Sequence, residues 1–429
     1  MKRIPRQAYH RTVLDNGLRI LTAPRWESES VSIGIWIGVG GRYESAGLNG
    51  ISHLLEHLIF KGTPRRSSHQ IKVAIEGTGG ALNAFTDEEF TCLYAKVQPK
   101  NLGLTVDVLS DMILSSELEP RELEKERAVV IEEIRMYRDL PMQYVHDLLN
   151  VLLWPNHPLG RQIAGTERSL KRIQRKDLIR FQKRYYTPRN ICIAACGRLT
   201  HRALVETVKK AWESIPAGIC STFRKAVERQ SKARMKIERK DTEQTHFSLG
   251  FHAFPRNHPQ MHALSLLNVL LGGNMSSRLF RQVREERGLA YEIGSQVKRY
   301  RDTGLFSVSA GVEHRHLLRC LEVVRKELVR VRKEQVSRPE FERTAEYLTG
   351  QALFALEDTV EHMFWMGECE MLLGRVEPVE VILDQVGQVR RHDLKEVARA
   401  ILRPKHLSLA VIGPVQPKVQ AQIQRLFSS

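Results

Sequence analysis

One stretch of the chain, Tyr186-Thr187-Pro188-Arg189-Asn190-Ile191-Cys192-Ile193-Ala194-Ala195-Cys196-Gly197, has a counterpart near the C-terminus. The counterpart is Leu402-Arg403-Pro404-Lys405-His406, followed by the apolar residues 407–412 and then Gly413. Each copy predicts a helix that ends before the proline and a short strand that ends at the glycine. Every matched position is offset by 216 residues, which is close to half of the 429 residues. This spacing predicts a tandem duplication of one domain of about 200 residues.

The duplication predicts two domains, which agrees with a chain too long for one ordinary core. Residues 1–215 form the first predicted domain, which ends in a helix at about 202–214. Residues 216–235 are polar, basic and weakly periodic, so they are predicted to be the linker. Residues 236–429 form the second predicted domain.

Local patterns place strands and long helices in both halves. Asn16-Gly17 between two apolar runs predicts a hairpin, and residues 31–37 alternate as a half-buried strand would. Because strict β-α-β alternation is rare, the fold class predicted is α+β, with sheets packed against helices. The remaining predicted elements are helices at 51–60, 69–77 and 102–116 and strands at 81–86 and 90–97, then in the second half strands at 245–252, 289–299 and 304–312 and helices at 258–271, 277–287 and 316–334.

Composition excludes several classes of protein. Hydrophobic residues make up 42% and charged residues 27%, as in a soluble globular protein, and no apolar run is long enough to span a membrane. The six cysteines form no C-x-x-C pair, so reduced thiols in a cytosol-like compartment are expected. The net charge of +17 is spread along the chain without a long basic block, which favours a solvated basic surface over a specific nucleic-acid site.

The residues His53-Leu54-Leu55-Glu56-His57 carry the functional signal. On a helix, His53 and His57 lie on one face, where two imidazoles can bind one zinc ion. Glu56 is close enough to reach a water on that metal. This H-x-x-E-H pattern is the inverted form of the zinc-protease signature, so it predicts metal-assisted peptide hydrolysis. The alternative is a histidine pair that fills a core without metal.

A catalytic zinc usually has three protein ligands, and the acidic helix predicted at about 121–138 can supply the third. Glu126 and Glu133 are seven residues apart and therefore share a face, as do Val130 and Tyr137. Carboxylates within an apolar stripe are costly unless they are paired or bound to a cation. We therefore predict that Glu133 is the third ligand and that Glu126 orients a ligand or the water.

With this set, Glu56 is the predicted general base. It takes a proton from the attacking water, whose pKa zinc lowers toward ~7, and the same carboxyl can protonate the leaving amine. The donors that stabilise the oxyanion or the peptide backbone do not emerge from the first half of the sequence.

The sequence closely resembles the pitrilysin family of zinc peptidases, and in particular its smaller members built like the β subunit of mitochondrial processing peptidase and its bacterial relatives. The resemblance is most specific at residues 49–63 and 126–133, and it extends from Asn16-Gly17 to Gly413. It implies two similar halves, each a mainly antiparallel sheet packed with helices, that face each other like a clamshell. It also implies one zinc ion per chain, held by the first half alone.

The resemblance adds functions for residues that periodicity leaves unassigned. Arg284 and Tyr291 match an arginine and a tyrosine that lie near the substrate in the family. Without the resemblance, Arg284 would be interpreted as a solvent-exposed charge on a helix and Tyr291 as an ordinary aromatic residue of a strand. Substrate is expected to add as a strand along the edge of the sheet at residues 81–86. The candidate substrate-binding residues there are Asn83, Ala84, Phe85 and Thr86. An inner strand is the alternative for this segment.

The expected function is therefore a zinc endopeptidase that cleaves short or unfolded peptides or presequences. A catalytically silent structural subunit of a larger processing complex is the alternative, as some relatives in respiratory complexes are. The resemblance implies a homodimer or a heterodimer with a related subunit. A bacterial cytoplasm and a mitochondrial matrix both fit the sequence, with the bacterial cytoplasm favoured.

Overall fold

The computed structural model describes residues 9–428 and contains two compact units. The first unit comprises residues 9–135, 161–224 and 353–378. The second unit comprises residues 136–160, 225–352 and 379–428. Each unit therefore includes one segment from the other half of the sequence. Among the described residues, no helix is both long enough and apolar enough to cross a membrane.

Most strands fall at positions that the sequence patterns predict, with small shifts at their ends, but those at 62–63, 66–67 and 234–238 were not predicted. They are, in chain order, β1 (His10–Val13), β2 (Arg19–Pro24), β3 (Val31–Ile37), β4 (Gly62–Thr63), β5 (Arg66–Ser67), β6 (Ala81–Thr86), β7 (Thr91–Val97), β8 (Ile191–Gly197), β9 (Arg234–Glu238), β10 (Thr245–Ala253), β11 (Ala290–Arg299), β12 (Gly304–Val312) and β13 (Ser408–Ile412).

The helices include several that the sequence patterns did not single out. They are α1 (Ile51–Ile59), α2 (Ser68–Glu76), α3 (Leu102–Ser115), α4 (Pro120–Asp139), α5 (Pro141–Leu153), α6 (Glu167–Leu170), α7 (Arg175–Tyr185), α8 (His201–Trp212), α9 (Met261–Gly272), α10 (Leu317–Lys333), α11 (Arg338–Ala355), α12 (Thr359–Leu373), α13 (Val379–Gln388), α14 (Arg391–Ile401) and α15 (Pro417–Ser428). The segment predicted as a helix at 277–287 contains a π-helical turn, Phe280–Glu285.

The two sheets repeat one topology. The first has the order β1-β2-β8-β3-β7-β6, in which β2 and β8 are parallel and the other neighbours antiparallel. The second has the order β11-β12-β10-β13-β9, in which β13 and β9 are parallel and the others antiparallel. Each sheet thus has one parallel pair next to an antiparallel run, as expected for duplicated domains, and the α+β class is confirmed.

The hairpin predicted at Asn16-Gly17 is present. Strands β1 and β2 pair antiparallel around the turn, and Gly17 adopts φ +88°, a conformation that glycine reaches without steric cost. The turn is anchored because the Asn16 side chain donates to the carbonyl oxygen of Trp212 at 2.7 Å. It follows that the last helix of the first half, α8, fixes the start of the sheet.

Strand β3 is buried along its whole length, so the half-buried strand predicted from its alternation is wrong. One face carries Ile33 and Ile35 into the main core of the first unit. The other face carries Trp36, which packs in a second apolar cluster with Met363 and Met366 of α12. The alternation in β3 therefore separates two apolar environments rather than core from solvent.

The second sheet is covered in a comparable way by a helix from the first half of the sequence. Helix α5 packs on β10 and β13, where Leu149 and Leu153 form a cluster with Leu305 and Ala410. Helices α5 and α12 thus each cover the sheet of the other sequence half. Hydrophobic periodicity indicates that such helices have an apolar face, but it does not indicate which sheet that face will cover.

A glycine in α12 allows this helix to lie close to the first sheet. A Cβ atom at Gly367 would lie 2.1 Å from the indole Nε1 of Trp36. We expect Gly367→Ala to lower the free energy of unfolding by about 1–3 kcal/mol, because the added methyl overpacks this contact. Urea denaturation measures the change.

The matched control for this substitution is Gly350→Ala in α11, where a Cβ atom would meet nothing within 4 Å. There the same change should raise the free energy of unfolding by up to about 1 kcal/mol through helix propensity. Equal effects at both positions would contradict the close packing of α12 on the sheet.

Candidate metal centre

Helix α1 presents two chemically different faces. Leu54, Leu55 and Leu58 are fully buried in the core of the first unit. His53 and His57, on a different side of the helix, keep 14% and 22% of their side chains exposed. Packing of the leucines therefore fixes the rotation of α1 and presents both imidazoles at the surface of the unit.

The three predicted ligands lie together. Glu133 Oε2 is 3.8 Å from His53 Nε2 and 3.7 Å from His57 Nε2. One ligand atom from each of the three residues lies within 4.8 Å of the other two. Helix α4 thus brings its carboxylate to the histidine face of α1, although Glu133 is 76 residues after His57.

These distances fit a zinc ion. Two ligand atoms about 2.1 Å from a tetrahedral zinc are separated by about 3.4 Å, slightly less than the 3.7 and 3.8 Å that separate Glu133 from the two histidines. Two imidazoles and one carboxylate are also a common donor set for a catalytic zinc that retains one open position. The donor set and its spacing therefore suit a zinc site with room for a water or substrate.

Glu126, the second predicted acid, contacts the predicted ligand His57 and is not itself one of the three grouped ligands. Its Oε2 is 3.1 Å from Nδ1 of His57, so it accepts a hydrogen bond when that nitrogen carries the proton. Its Oε1 lies 2.6 Å from Nζ of Lys61. With its proton on Nδ1, His57 has the lone pair of Nε2 available for a metal, an arrangement that orients ligands in many metal sites.

The stripe of α4 that carries these acids is less buried at its C-terminal end. Glu126 and Val130 are buried and Glu133 is partly exposed, but Tyr137 is 39% exposed. Tyr137, predicted on the same face as Glu126 and Glu133, is therefore exposed, since α4 leaves the core after Ile134. Glu132, predicted on the solvent side, has 69% of its side chain exposed.

Glu56, the predicted base, is held by the end of strand β6. The hydroxyl of Thr86 donates to Glu56 Oε2 at 2.5 Å. Burial raises the pKa of Glu56, and Glu133 adds to the rise, whereas the Thr86 hydrogen bond and His57 oppose it. A carboxyl with a raised pKa is better able to return a proton at neutral pH than an ordinary glutamate is.

The pKa values of two predicted ligands, His53 and Glu133, are shifted by burial. Burial lowers the pKa of His53 to about 4, and the neighbouring His57 contributes to the decrease. Burial likewise raises the pKa of Glu133, with His57 opposing it. His53 is therefore a neutral donor at pH 7, and a bound divalent cation would favour the charged form of Glu133.

The candidate edge residues are in strand β6, which among the described strands pairs only with β7. Asn83 is exposed, whereas Ala84, Phe85 and Thr86 are partly buried. Of these residues, Thr86 forms a hydrogen bond with α1, to the side chain of Glu56. The structure thus places the end of the candidate edge beside Glu56, the predicted base.

Arg284 and Tyr291 lie in the second unit, where they contact each other. The guanidinium carbon of Arg284 is 4.6 Å from the ring centroid of Tyr291 and 4.8 Å from that of Phe280. Tyr291 is 76% exposed, at the start of the edge strand β11. Both side chains are thus presented at the surface of that unit rather than used in its core.

Glu44 and Lys61 belong to the site's surroundings and were missed by the sequence reasoning. Glu44 is 4% exposed, and its carboxylate accepts hydrogen bonds at the N-terminus of α1. Burial raises the pKa of Glu44 to about 7, with hydrogen bonds from Asn49, Ser52 and Gly50 opposing the rise. The absence of a capping side chain at Gly50 was the signal that could have prompted a search for such a group.

Both halves of the chain match models of known protein families. The model of the insulinase family, peptidase family M16, matches residues 19–167, and the model of the peptidase M16 inactive domain matches residues 172–348. The "uncharacterized zinc protease YmxG" of Bacillus subtilis is 36% identical over 405 residues, which cover 94% of this chain and 98% of that protein. An "uncharacterized zinc protease" of Streptomyces coelicolor is 36% identical over 421 residues, covering 96% and 91%.

Solved structures show the same fold. A protease from Helicobacter pylori superposes with a TM-score of 0.89 at 22% identity, covering 95% of this chain and 100% of that one. A peptidase M16 inactive domain from Pseudomonas fluorescens gives a TM-score of 0.87 at 17% identity, covering 95% and 98%. At these identities the likeness concerns the fold alone.

The lowered pKa of His53 predicts a pH dependence of stability in the metal-free protein. Between pH 6.5 and about 4 the unfolded chain binds a proton at His53 that the folded protein does not bind. Stability should therefore fall as pH decreases through this window, with a contribution from His53 of about 3 kcal/mol. Denaturant unfolding at pH 7 and pH 4, with a chelator present, should show a smaller loss for His53→Asn than for the unmodified chain. Equal losses would contradict a neutral, partly buried His53.

The contact between Lys61 and Glu126 predicts an effect on zinc affinity. We expect Lys61→Met to raise the dissociation constant for zinc about tenfold, because Glu126 loses the cation that fixes its orientation toward His57. Lys61→Arg should restore most of the affinity. Lys125→Met, which removes an exposed lysine paired with Glu122, is the matched control and should have no effect. Competition with a chromophoric chelator measures all three.

Proposed function

Because the chain belongs to the insulinase family of peptidases, peptidase family M16, we propose that it is a zinc-dependent endopeptidase that hydrolyses short or unfolded peptides or presequences. The observation that carries the proposal is the meeting of His53, His57 and Glu133, whose ligand atoms lie within 4.8 Å of one another. The zinc proteases named among its relatives support the choice of metal.

One zinc ion per chain would be held by His53, His57 and Glu133. When bound, zinc supplies a Lewis acid that lowers the pKa of water and polarises the scissile carbonyl. Glu126 keeps the Nδ1 proton of His57 in place, and Lys61 holds Glu126. These contacts orient the donors before any substrate binds.

Glu56 is the residue that moves the proton. Its Oε2 accepts from Thr86, which leaves Oε1 to take a proton from the attacking water. The raised pKa of this partly buried carboxyl helps it to give the proton to the leaving amine afterwards. Both transfers use the same carboxyl, so one residue serves as base and then as acid.

The edge position of β6 favours extended substrates. A strand that pairs on one side offers unpaired backbone groups along its other side, and an extended peptide can bind there as an added strand. Asn83, Ala84 and Phe85 would flank such a peptide, and Thr86 would place it beside Glu56. A folded protein can rarely supply such a strand, which favours short or unfolded peptides as substrates.

Arg284 and Tyr291 are proposed to supply donors to the oxyanion or to the peptide backbone. Support comes from their match to family positions and from their mutual contact, which orients the guanidinium on an exposed aromatic ring. A guanidinium and a phenolic hydroxyl are both suited to stabilising developing negative charge.

The surroundings of the enzyme are also proposals. We propose a homodimer or a heterodimer with a related subunit, in a bacterial cytoplasm, since the relatives named above are bacterial. No specific nucleic-acid partner is proposed. The competing function is a catalytically silent structural subunit, and it is favoured only by the inactive-domain match to residues 172–348, a range that excludes the metal ligands.

The substitution Glu56→Gln separates the two functions. A peptidase should retain about one zinc per chain but lose turnover by about 100-fold or more, because the general base is gone while the ligands remain. Zinc content is measured by metal analysis, and cleavage of a mixed peptide library by mass spectrometry.

The exposed acid Glu132 provides a matched control for this experiment. Glu132→Gln changes the neighbour of a ligand on α4 and should leave both zinc content and cleavage unchanged. A metal-free preparation that gains no activity on addition of zinc, or an unmodified chain no faster than Glu56→Gln, would favour the silent subunit.

A further inference from the structure

We propose that Glu44 is a positioning residue for the metal centre: by holding the first turn of α1, it sets the positions of His53 and Glu56, and with them zinc affinity and turnover. The inference rests on the proposed function. Glu44 does not contact the ligands, and its action would pass through the backbone of α1.

The N-terminus of α1 lacks a cap of its own. Gly50 occupies the N-cap position with φ +94°, and no side chain within the helix accepts from its first N–H groups. Such groups cost free energy when they are buried without partners. An acceptor from outside the helix is therefore required.

Glu44 is that acceptor. Its Oε2 receives the backbone N–H of Gly50 at 2.7 Å and the side-chain amide of Asn49 at 3.0 Å. Its Oε1 receives the backbone N–H of Ser52 at 2.8 Å. Because the two oxygens bind N–H groups two residues apart, the carboxylate restricts both rotation and tilt of the first turn. His53 follows Ser52 directly.

The turn that carries Glu44 is anchored at its other end. The guanidinium of Arg42 lies 2.6 Å from the carboxylate of Glu89, and both side chains are buried. The backbone N–H of Arg42 also donates to the carbonyl oxygen of Glu88 at 2.8 Å. Residues 41–44 therefore connect the loop between β6 and β7 with the start of α1.

This connection matters because the same β6–β7 hairpin also holds the base, through the hydroxyl of Thr86. Helix α1 is thus tied to the hairpin at two points, at its N-terminus by Glu44 and at Glu56 by Thr86. Two attachments to one hairpin define where the histidine face of α1 lies relative to the candidate substrate edge.

The other side of the N-terminus of α1 is packed tightly against residues 164 and 165, which leaves no room for a larger side chain there. A Cβ atom at Gly50 would lie 2.6 Å from the carbonyl oxygen of Ala164, and one at Gly165 would lie 2.4 Å from that of Asn49. Packing therefore excludes a conventional capping side chain at position 50. On the same turn, Arg161 donates a hydrogen bond to the carbonyl oxygen of Glu44 at 3.1 Å.

The substitution Glu44→Gln tests the inference in the full-length chain. It keeps the shape of the side chain but replaces one acceptor oxygen with an amide that faces an N–H group. We expect the zinc dissociation constant to rise about tenfold, and kcat to fall at least tenfold with KM changed by less than about twofold. Chelator competition measures the first quantity without any substrate.

A buried carboxylate that pairs with an arginine outside α1 provides the matched control. Glu370, on α12, is fully buried and pairs with Arg11 at 2.9 Å. Glu370→Gln should lower the thermal stability of the metal-free chain while zinc affinity and kcat stay unchanged. If both variants lose stability equally and neither alters zinc affinity, Glu44 is merely a structural cap.

A milder variant keeps the test decisive if Glu44→Gln does not fold. Asn49→Ala removes one hydrogen bond to the Glu44 carboxylate, together with one to the carbonyl oxygen of Gln162, and should raise the zinc dissociation constant about threefold. No change would overturn the inference. Measurements on the unmodified chain distinguish a wrong role for Glu44 from a wrong proposed function. If it binds no zinc and cleaves no peptide, the function itself is wrong, whereas normal zinc binding and cleavage with unaffected variants would reject the role of Glu44 alone.

Discussion

The first unit depends on how the nine residues of α1 divide between two environments. Leu54, Leu55 and Leu58 are withdrawn from water, and burial of this apolar surface fixes the helix against the sheet. The remaining side must then hold two imidazoles and a carboxyl close to other acids, largely out of water. The free energy gained by burying the leucines thus offsets the cost of partly desolvating the polar cluster. The rotation of α1 that buries the leucines also sets the direction of the histidine face.

The exchange of helices between the sequence halves has a consequence for the sheets. Because α12 covers the outer face of the first sheet and α5 packs on the second, β3 and β13 are buried along their whole length. A duplicated domain would otherwise expose an apolar sheet face in each copy. The exchange makes each unit complete only when both halves of the chain are present, so the units and the sequence halves do not coincide.

Sequence alone predicted much of this arrangement because the relevant signals are local or strictly periodic. The four-residue spacing of His53 and His57 and the seven-residue spacing of Glu126 and Glu133 are fixed by helix geometry, and the Asn16-Gly17 turn by backbone conformation. The covering of β3 by α12 and the capping of α1 by Glu44 could not be found in this way. Both join residues that are distant in the chain or lie in an irregular turn, where no period relates the partners.

The charges around the candidate metal centre explain why so many acids can share it. Glu56, Glu126 and Glu133 would together carry three negative charges when ionised, and Lys61 contributes one positive charge, while His53 is neutral at pH 7. The cluster is then left with two negative charges, the charge that one divalent cation neutralises. Without such a cation, burial raises the pKa values of Glu56 and Glu133, because a desolvated carboxylate is costly in its charged form. The acids that are costly to desolvate in the metal-free site are thus the same groups whose charged forms a doubly charged ion would favour.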